Sequence, residues 1–237
     1  MISIDRGLYS RDGFDLAMDL HVQRGSFCAV LGPSGSGKST LLNVIAGFEP
    51  LTKGRILFAG LDATAAPPAE RPVTFVFQDH NSFAHLDAWN NVALGISPSL
   101  TLTDAQRLDV DTALKVTGIS HLANRKPGDM SGGERQRIAI ARVLVRKRPI
   151  LLLDEAFAAL GPGLRREMLA LVKELHHVRG LTTLMVTHQP EDAKGLAESI
   201  IFVDAGVVRP IMPVDRFFES GDRRIRAYLG DWQNSPA

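Results

Sequence analysis

Apolar positions along the chain change period several times, and the changes predict its elements. Residues 1–4, 14–20 and 26–31 are short alternating or wholly apolar runs separated by polar turns, which predicts an antiparallel edge leading into a buried strand. Residues 39–46, Ser-Thr-Leu-Leu-Asn-Val-Ile-Ala, read as a helix. A turn at 52–54, a strand over 55–59 closed by Gly60, a loop over 64–72 broken by three prolines and a strand over 73–77 follow. From Asp79 to Arg125 the pattern is helical, at 89–94 and 103–117 with a turn at Pro98, and it continues through a helix after Gly132. Strands and helices then alternate: strand 150–153, helix 163–176, strand 181–187, helix 190–198, strand 199–203. Fully apolar strands alternating with helices predict a parallel α/β sheet covered on both faces. The expected organisation is one domain over residues 1–237, with about 79–147 forming an inserted helical subdomain.

Between the apolar run 26–31 and the helix lies Gly32-Pro33-Ser34-Gly35-Ser36-Gly37-Lys38-Ser39-Thr40, which fills the pattern G-x-x-x-x-G-K-[ST]. Glycines let the backbone turn tightly and aim successive N–H groups at oxygen atoms, and the positive end of the following helix favours negative charge. Lys38 supplies a cation to β and γ phosphates, and the Ser39 hydroxyl is a natural Mg²⁺ ligand. This stretch points to a nucleotide.

Four further signals fit the same chemistry. Residues 150–155, Ile-Leu-Leu-Leu-Asp-Glu, form an apolar strand that delivers two carboxylates to its C-terminal end. Asp154 can hold Mg²⁺ through its water shell, and Glu155 can orient or deprotonate an attacking water. His188 follows the apolar run 183–187 and can contact the γ-phosphate or the water, or simply cap the next helix. Gln78 ends the strand 73–77 and offers an amide to Mg²⁺ or water, or a plain polar strand end. Ser131-Gly132-Gly133 precedes a long basic amphipathic helix at 134–147, giving a second helix N-terminus competent for phosphate. One nucleotide needs only one phosphate loop. The second site therefore binds another phosphate or the nucleotide of another subunit, and a two-fold dimer would create two composite sites. Tyr9 can stack on adenine or make an ordinary aromatic contact. Phe83, His85, Leu86 and Trp89 suit a docking patch, with internal packing as the alternative.

Composition narrows the possibilities. With 27 basic and 26 acidic residues the net charge is +1, so electrostatics gives no case for nucleic acid as partner. Cys28, the single cysteine, falls in an apolar strand and reads as a buried thiol. The N-terminal residues lack an apolar signal core, and no apolar run is long enough to span a bilayer.

Taken in order, these motifs resemble those of the ATP-binding subunits of ABC transporters over essentially the whole chain. The resemblance implies a P-loop NTPase of the ABC ATPase fold, α/β with an antiparallel β subdomain and an inserted helical subdomain, using ATP and Mg²⁺. It makes residues 32–40 the Walker A loop, Gln78 the Q-loop residue, Ser131-Gly132-Gly133-Glu134 the signature, Asp154 the end of Walker B, Glu155 the catalytic carboxylate and His188 the switch histidine. Gln78, Ser39 and Asp154 become metal ligands, and Lys38, Gln78, Glu155 and His188 the catalytic set. Among such ATPases, those of bacterial thiamine importers are most similar, through stretches such as 31–43, 45–48, 149–155, 164–169 and 184–188. The implied activity is ATP hydrolysis driving import of thiamine, and of thiamine phosphate, by a homodimer docked on transmembrane permease subunits. The site of action would be the cytoplasmic face of the inner membrane, with a periplasmic thiamine-binding protein acting through the complete transporter. An importer of ferric iron or another small solute, a nucleic-acid-linked ABC protein and a weakly hydrolysing regulatory module are the competing readings. Three residues depart from the family pattern: Gly161 stands where an aspartate is usual, Ala158 where a serine is usual and Glu134 where glutamine is more common.

Overall fold

The computed structural model describes residues 1–77 and 82–230. In chain order the elements are β1 (Ile2–Arg11), β2 (Phe14–Val22), β3 (Phe27–Leu31), α1 (Lys38–Ala46), β4 (Lys53–Phe58), β5 (Leu61–Asp62) and β6 (Val73–Val76). Then come α2 (Ala88–Ala93), α3 (Asp104–Val116), α4 (Gly132–Arg146), β7 (Ile150–Asp154) and α5 (Pro162–Arg179). The chain closes with β8 (Thr182–Val186), α6 (Pro190–Leu196), β9 (Ser199–Asp204), β10 (Val207–Val208), β11 (Met212–Pro213), α7 (Val214–Phe218) and α8 (Arg223–Leu229). These elements form two compact units, one of Met1–Val73 with the residues from Leu181 onward, the other of Thr74–Gly180.

In the first unit the strands run β5-β4-β1-β2-β10-β9-β3-β8, with β11 added to β9. β1 pairs antiparallel with β2 and β4, and β2 alternates exposed and buried residues as a sheet with one wet face must. β3 lies parallel between β8 and β9, and all five residues of both β3 and β8 are buried, which is why their sequences are apolar without alternation. Val30 pairs with Val186 on one side and Ile201 on the other, so β3, β8 and β9 end at a common edge. β1 continues to Arg11, well past the predicted end at residue 4. Its register shifts between Ile4 and Gly7, with Arg6 at φ 46°, and that bulge breaks the period that would have marked the second half as strand. The elements after residue 204 were not predicted. They are short, and they are held by packing of Val214, Phe217, Phe218, Ile225 and Leu229 on Leu31, Ile200 and Phe202.

One buried cation ties the first helix to the proline-rich loop. The guanidinium of Arg71 donates from Nη1 to the carbonyls of Val44 and Ile45 at 2.8 and 2.9 Å, from Nε to Ala66 O at 2.9 Å and from Nη2 to Thr64 O at 3.2 Å. The first two acceptors belong to the last turn of α1, where Val44 O also accepts from the Gly47 N–H at 3.2 Å. Burial pulls the Arg71 pKa down, and the carbonyl array is what keeps the charge tolerable there.

The second unit is helical around β6 and β7, which lie side by side. α3 starts with a capping box made by Thr103 and Gln106, and α4 with one made by Ser131 and Glu134. Asn91 organises the segment before α2: its side-chain amide donates to the carbonyls of Phe83, Leu86 and Asp87 at 3.0, 3.0 and 2.9 Å, and its Oδ1 accepts from Phe83 N at 2.8 Å. Arg142 of α4 holds Asn91 through Nε and Nη2, both at 3.0 Å, and stacks over the Phe83 ring. Burial, with a smaller push from Arg146, brings the Arg142 pKa down to about 10.

Replacing Arg71 by methionine keeps the stem and removes its bonds to four carbonyls, of which Val44 O keeps the Gly47 N–H at 3.2 Å. An Arg71→Met variant is expected to lose about 3 kcal/mol of stability in urea unfolding. An unchanged midpoint would show that water serves those carbonyls equally well.

Candidate functional site

The loop that joins β3 to α1 is shaped by three glycines in the left-handed region: Gly32 at φ 151°, Gly35 at φ 74° and Gly37 at φ 110°. Gly32 is also the point of tightest backbone approach. A Cβ there would sit 2.0 Å from the carbonyl oxygen of Val203 on β9, a distance no side chain tolerates. Gly37 is the N-cap of α1 and offers no side chain to the first-turn amides. Lys38 is buried and folds back over the loop, with Nζ donating to the carbonyls of Gly32 and Pro33 at 2.8 Å each. The Ser36 hydroxyl is buried without a hydrogen-bond partner. An uncapped helix start, an inward ammonium and an orphaned hydroxyl make a concavity rich in donors, which fits a polyphosphate.

His188 is exposed just beyond β8. Because Val186 is in register with Val30, it emerges at the edge that carries the loop. Tyr9 lies on β1 opposite Leu16, is 7 % exposed and has its hydroxyl beside Arg11. The Phe14 ring adjoins the loop, since a Cβ on Gly37 would lie 3.0 Å from it. No motif singles Phe14 out; only the pairing of β1 with β2 places it there.

In the second unit, Ser131 is the N-cap of α4. The backbone N–H of Ser131 donates to the Glu134 carboxylate at 2.7 Å, and Ser131 Oγ accepts from Glu134 N at 3.3 Å. These bonds hold the Glu134 carboxyl below the usual carboxylate range, so the signature helix begins with a negative charge of its own. Gly132 is open to its surroundings, whereas a Cβ on Gly133 would meet Leu164 of α5 at 2.1 Å. A side chain at Gly133 would therefore have to displace Leu164, so helix packing favours glycine there, whatever else its amide does. Asp154 ends β7 and is buried, and Glu155 follows in the left-handed region at φ 49°, a costly conformation for a residue with a side chain. Gly161 is the N-cap of α5 and supplies no side-chain bond. Gln78 lies outside the described residues. Among the described residues no three His, Cys, Asp or Glu side chains gather as a metal site. Ser39, in the first turn of α1, offers a hydroxyl of the kind Mg²⁺ accepts while keeping most of its water and taking its remaining ligands from phosphates.

The family model for ABC transporters matches residues 16–158. The chain belongs to the ABC transporter family. Like other ABC ATPases it binds ATP and hydrolyses it, and the expected fold is met. The proteins named thiamine import ATP-binding protein ThiQ from Mesorhizobium japonicum and from Ruegeria sp. are 50% and 46% identical to it. Those alignments cover 97% and 90% of this chain, and 91% and 97% of the two relatives. Among solved structures, cbiO1 from Clostridium perfringens, part of the ABC transporter complex cbiONQ, matches with TM-score 0.82 and 28% identity over 96% of this chain and 93% of its own. The dimeric ATP-binding cassette MJ0796 bound to ADP and Pi matches with TM-score 0.78 and 29% identity over 90% of this chain and 99% of its own. Among the described residues no helix of this ABC ATPase is long and apolar enough to cross a membrane.

Gly32→Ala is expected to force the loop away from Val203, at a cost of roughly 2–4 kcal/mol, and to abolish binding of a fluorescent ATP analogue. Native-like affinity in that variant would contradict the close approach.

Proposed function

We propose that this chain is the ATP-hydrolysing subunit of a thiamine importer. It works as a homodimer seated on transmembrane permease subunits at the cytoplasmic face of the inner membrane, and a periplasmic thiamine-binding protein delivers the solute. The solute assignment rests on the relatives of about half identity over nearly the full chain, whose names specify thiamine import. The nucleotide assignment rests on the donor-rich loop, with Lys38 and the orphaned Ser36 hydroxyl turned into it.

In the proposed cycle, Lys38 exchanges the Gly32 and Pro33 carbonyls for the β and γ phosphate oxygens, while the first-turn amides of α1 hold the remaining charge. Ser39, Asp154 and Gln78 are assigned to Mg²⁺, which neutralises phosphate charge when bound. Glu155 orients the attacking water and takes its proton, and His188 contacts the γ-phosphate or the water. Ser131 and the amides of Gly132 and Gly133 receive the γ-phosphate held by the other copy, which ties closure of the dimer to ATP. Glu134 adds a charge that opposes that phosphate. Gly161 removes a carboxylate from the loop after Glu155, so coupling between the two copies is weaker than in relatives with aspartate at that position. Phe83, His85, Leu86 and Trp89 form the proposed docking patch. Phe83 and His85 are exposed, and the segment is fixed from beneath by Asn91 and Arg142.

The test is ATP turnover by the chain reconstituted with its permease and binding protein. Thiamine is expected to stimulate the native complex, and Glu155→Gln to lower kcat by about 100-fold or more while ATP still binds. Turnover indifferent to thiamine would send the solute assignment elsewhere, and undiminished turnover in the variant would remove Glu155 from the chemistry.

A further inference from the structure

Tyr228, on the C-terminal helix α8, takes no part in the proposed cycle, yet it reaches the nucleotide loop from behind. Its ring packs on Phe202 with 5.5 Å between centroids and lies against the cluster of Leu31, Phe217 and Leu229. Phe202 pairs with Leu31 across β9 and β3, so the tyrosine stands over the residue that precedes Gly32. The phenolic oxygen is buried and faces the backbone of Gly32, but it completes no full hydrogen bond in this conformation. Burial raises the phenol's pKa, the Gly32 N–H draws it part of the way back, and Glu191 is the charged residue whose field reaches it.

Gly32 is therefore bounded on several sides. Val203 O lies at 2.0 Å from its notional Cβ and Ser36 Oγ at 3.0 Å, with Tyr228 at its backbone. Two of those neighbours, Ser36 and Tyr228, carry buried hydroxyls without a completed partner. An unmet buried hydroxyl is destabilising, and a small movement of the Gly32 peptide relieves it. Lys38 rests on the Gly32 carbonyl, so its departure toward phosphate frees that same peptide to move.

We propose that Tyr228 is a positioning residue for the phosphate loop: its hydroxyl completes a bond to the Gly32 peptide when nucleotide binds, so that docking of α8 and nucleotide affinity are coupled. This rests on residues 32–40 being the nucleotide site. Linkage makes the effect reciprocal, with nucleotide tightening α8 by the same factor by which docked α8 tightens nucleotide.

The test uses the full chain, Mg-ATP, and the variants Tyr228→Phe and Tyr228→Leu. Phenylalanine keeps the ring on Phe202 and removes only the hydroxyl. It is expected to raise Kd and KM for Mg-ATP about fivefold with kcat unchanged and the nucleotide-free Tm unchanged or raised, since an unmet buried hydroxyl is removed. Leucine, which also loses the ring, is expected to raise them further. Hydrogen exchange at residues 223–229 is expected to slow on adding Mg-ATP in the native chain and to respond less in Tyr228→Phe. A native chain that binds Mg-ATP, beside a phenylalanine variant of equal Kd and KM, would overturn the inference alone. A phenylalanine variant that loses Tm and affinity together would show a packing role and overturn it as well. A native chain that fails to bind Mg-ATP would overturn the nucleotide reading of the loop, and the inference with it.

Discussion

The near-contact between the Gly32 backbone and the Val203 carbonyl fixes the geometry on which the nucleotide loop depends. β3 must end where β9 still runs alongside it, and only a residue without a Cβ can turn the chain there. Once that turn is set, Gly35 and Gly37 complete the loop and α1 starts with its amides uncapped. Lys38, the first residue of α1, is then carried back over the loop carbonyls, with its charge held inside a buried site. Such an ammonium is already desolvated and close to where phosphate charge would come, so little reorganisation accompanies binding.

Taken separately, the two units solve one problem in similar ways. Each has a segment outside its helices and strands whose carbonyls are partly withdrawn from water, and each uses one hydrogen-bonding side chain to satisfy them. Arg71 does so for the loop before β6 and the end of α1; Asn91, backed by Arg142, does so for the segment before α2. In the first case the result is a fixed α1. In the second it is a fixed presentation of Phe83 and its neighbours, the residues proposed to meet the permease.

The glycine-rich turn between β3 and α1, the apolar strands and the long helices were legible because their signals are local. A glycine and lysine pattern, an unbroken apolar strand or a 3.6-residue period can be read without knowing the partners. What escaped was what tertiary contact decides. The second half of β1 was hidden by the bulge near Arg6 and Gly7, and α7 and α8 are too short to show a period. Gly133, read as a phosphate-binding glycine, is also favoured by its close approach to Leu164 across a helix contact that spacing does not announce. Phe14 and Tyr228 reach the loop from other parts of the chain, and only their tertiary packing reveals it.

The most direct check on the central claim is uptake of labelled thiamine into proteoliposomes that contain the permease, with this chain and Mg-ATP inside and the binding protein outside. The account predicts uptake that needs both the chain and ATP and that is lost with Lys38→Ala. Uptake independent of ATP, or ATP-driven uptake of another solute with thiamine ignored, would contradict it.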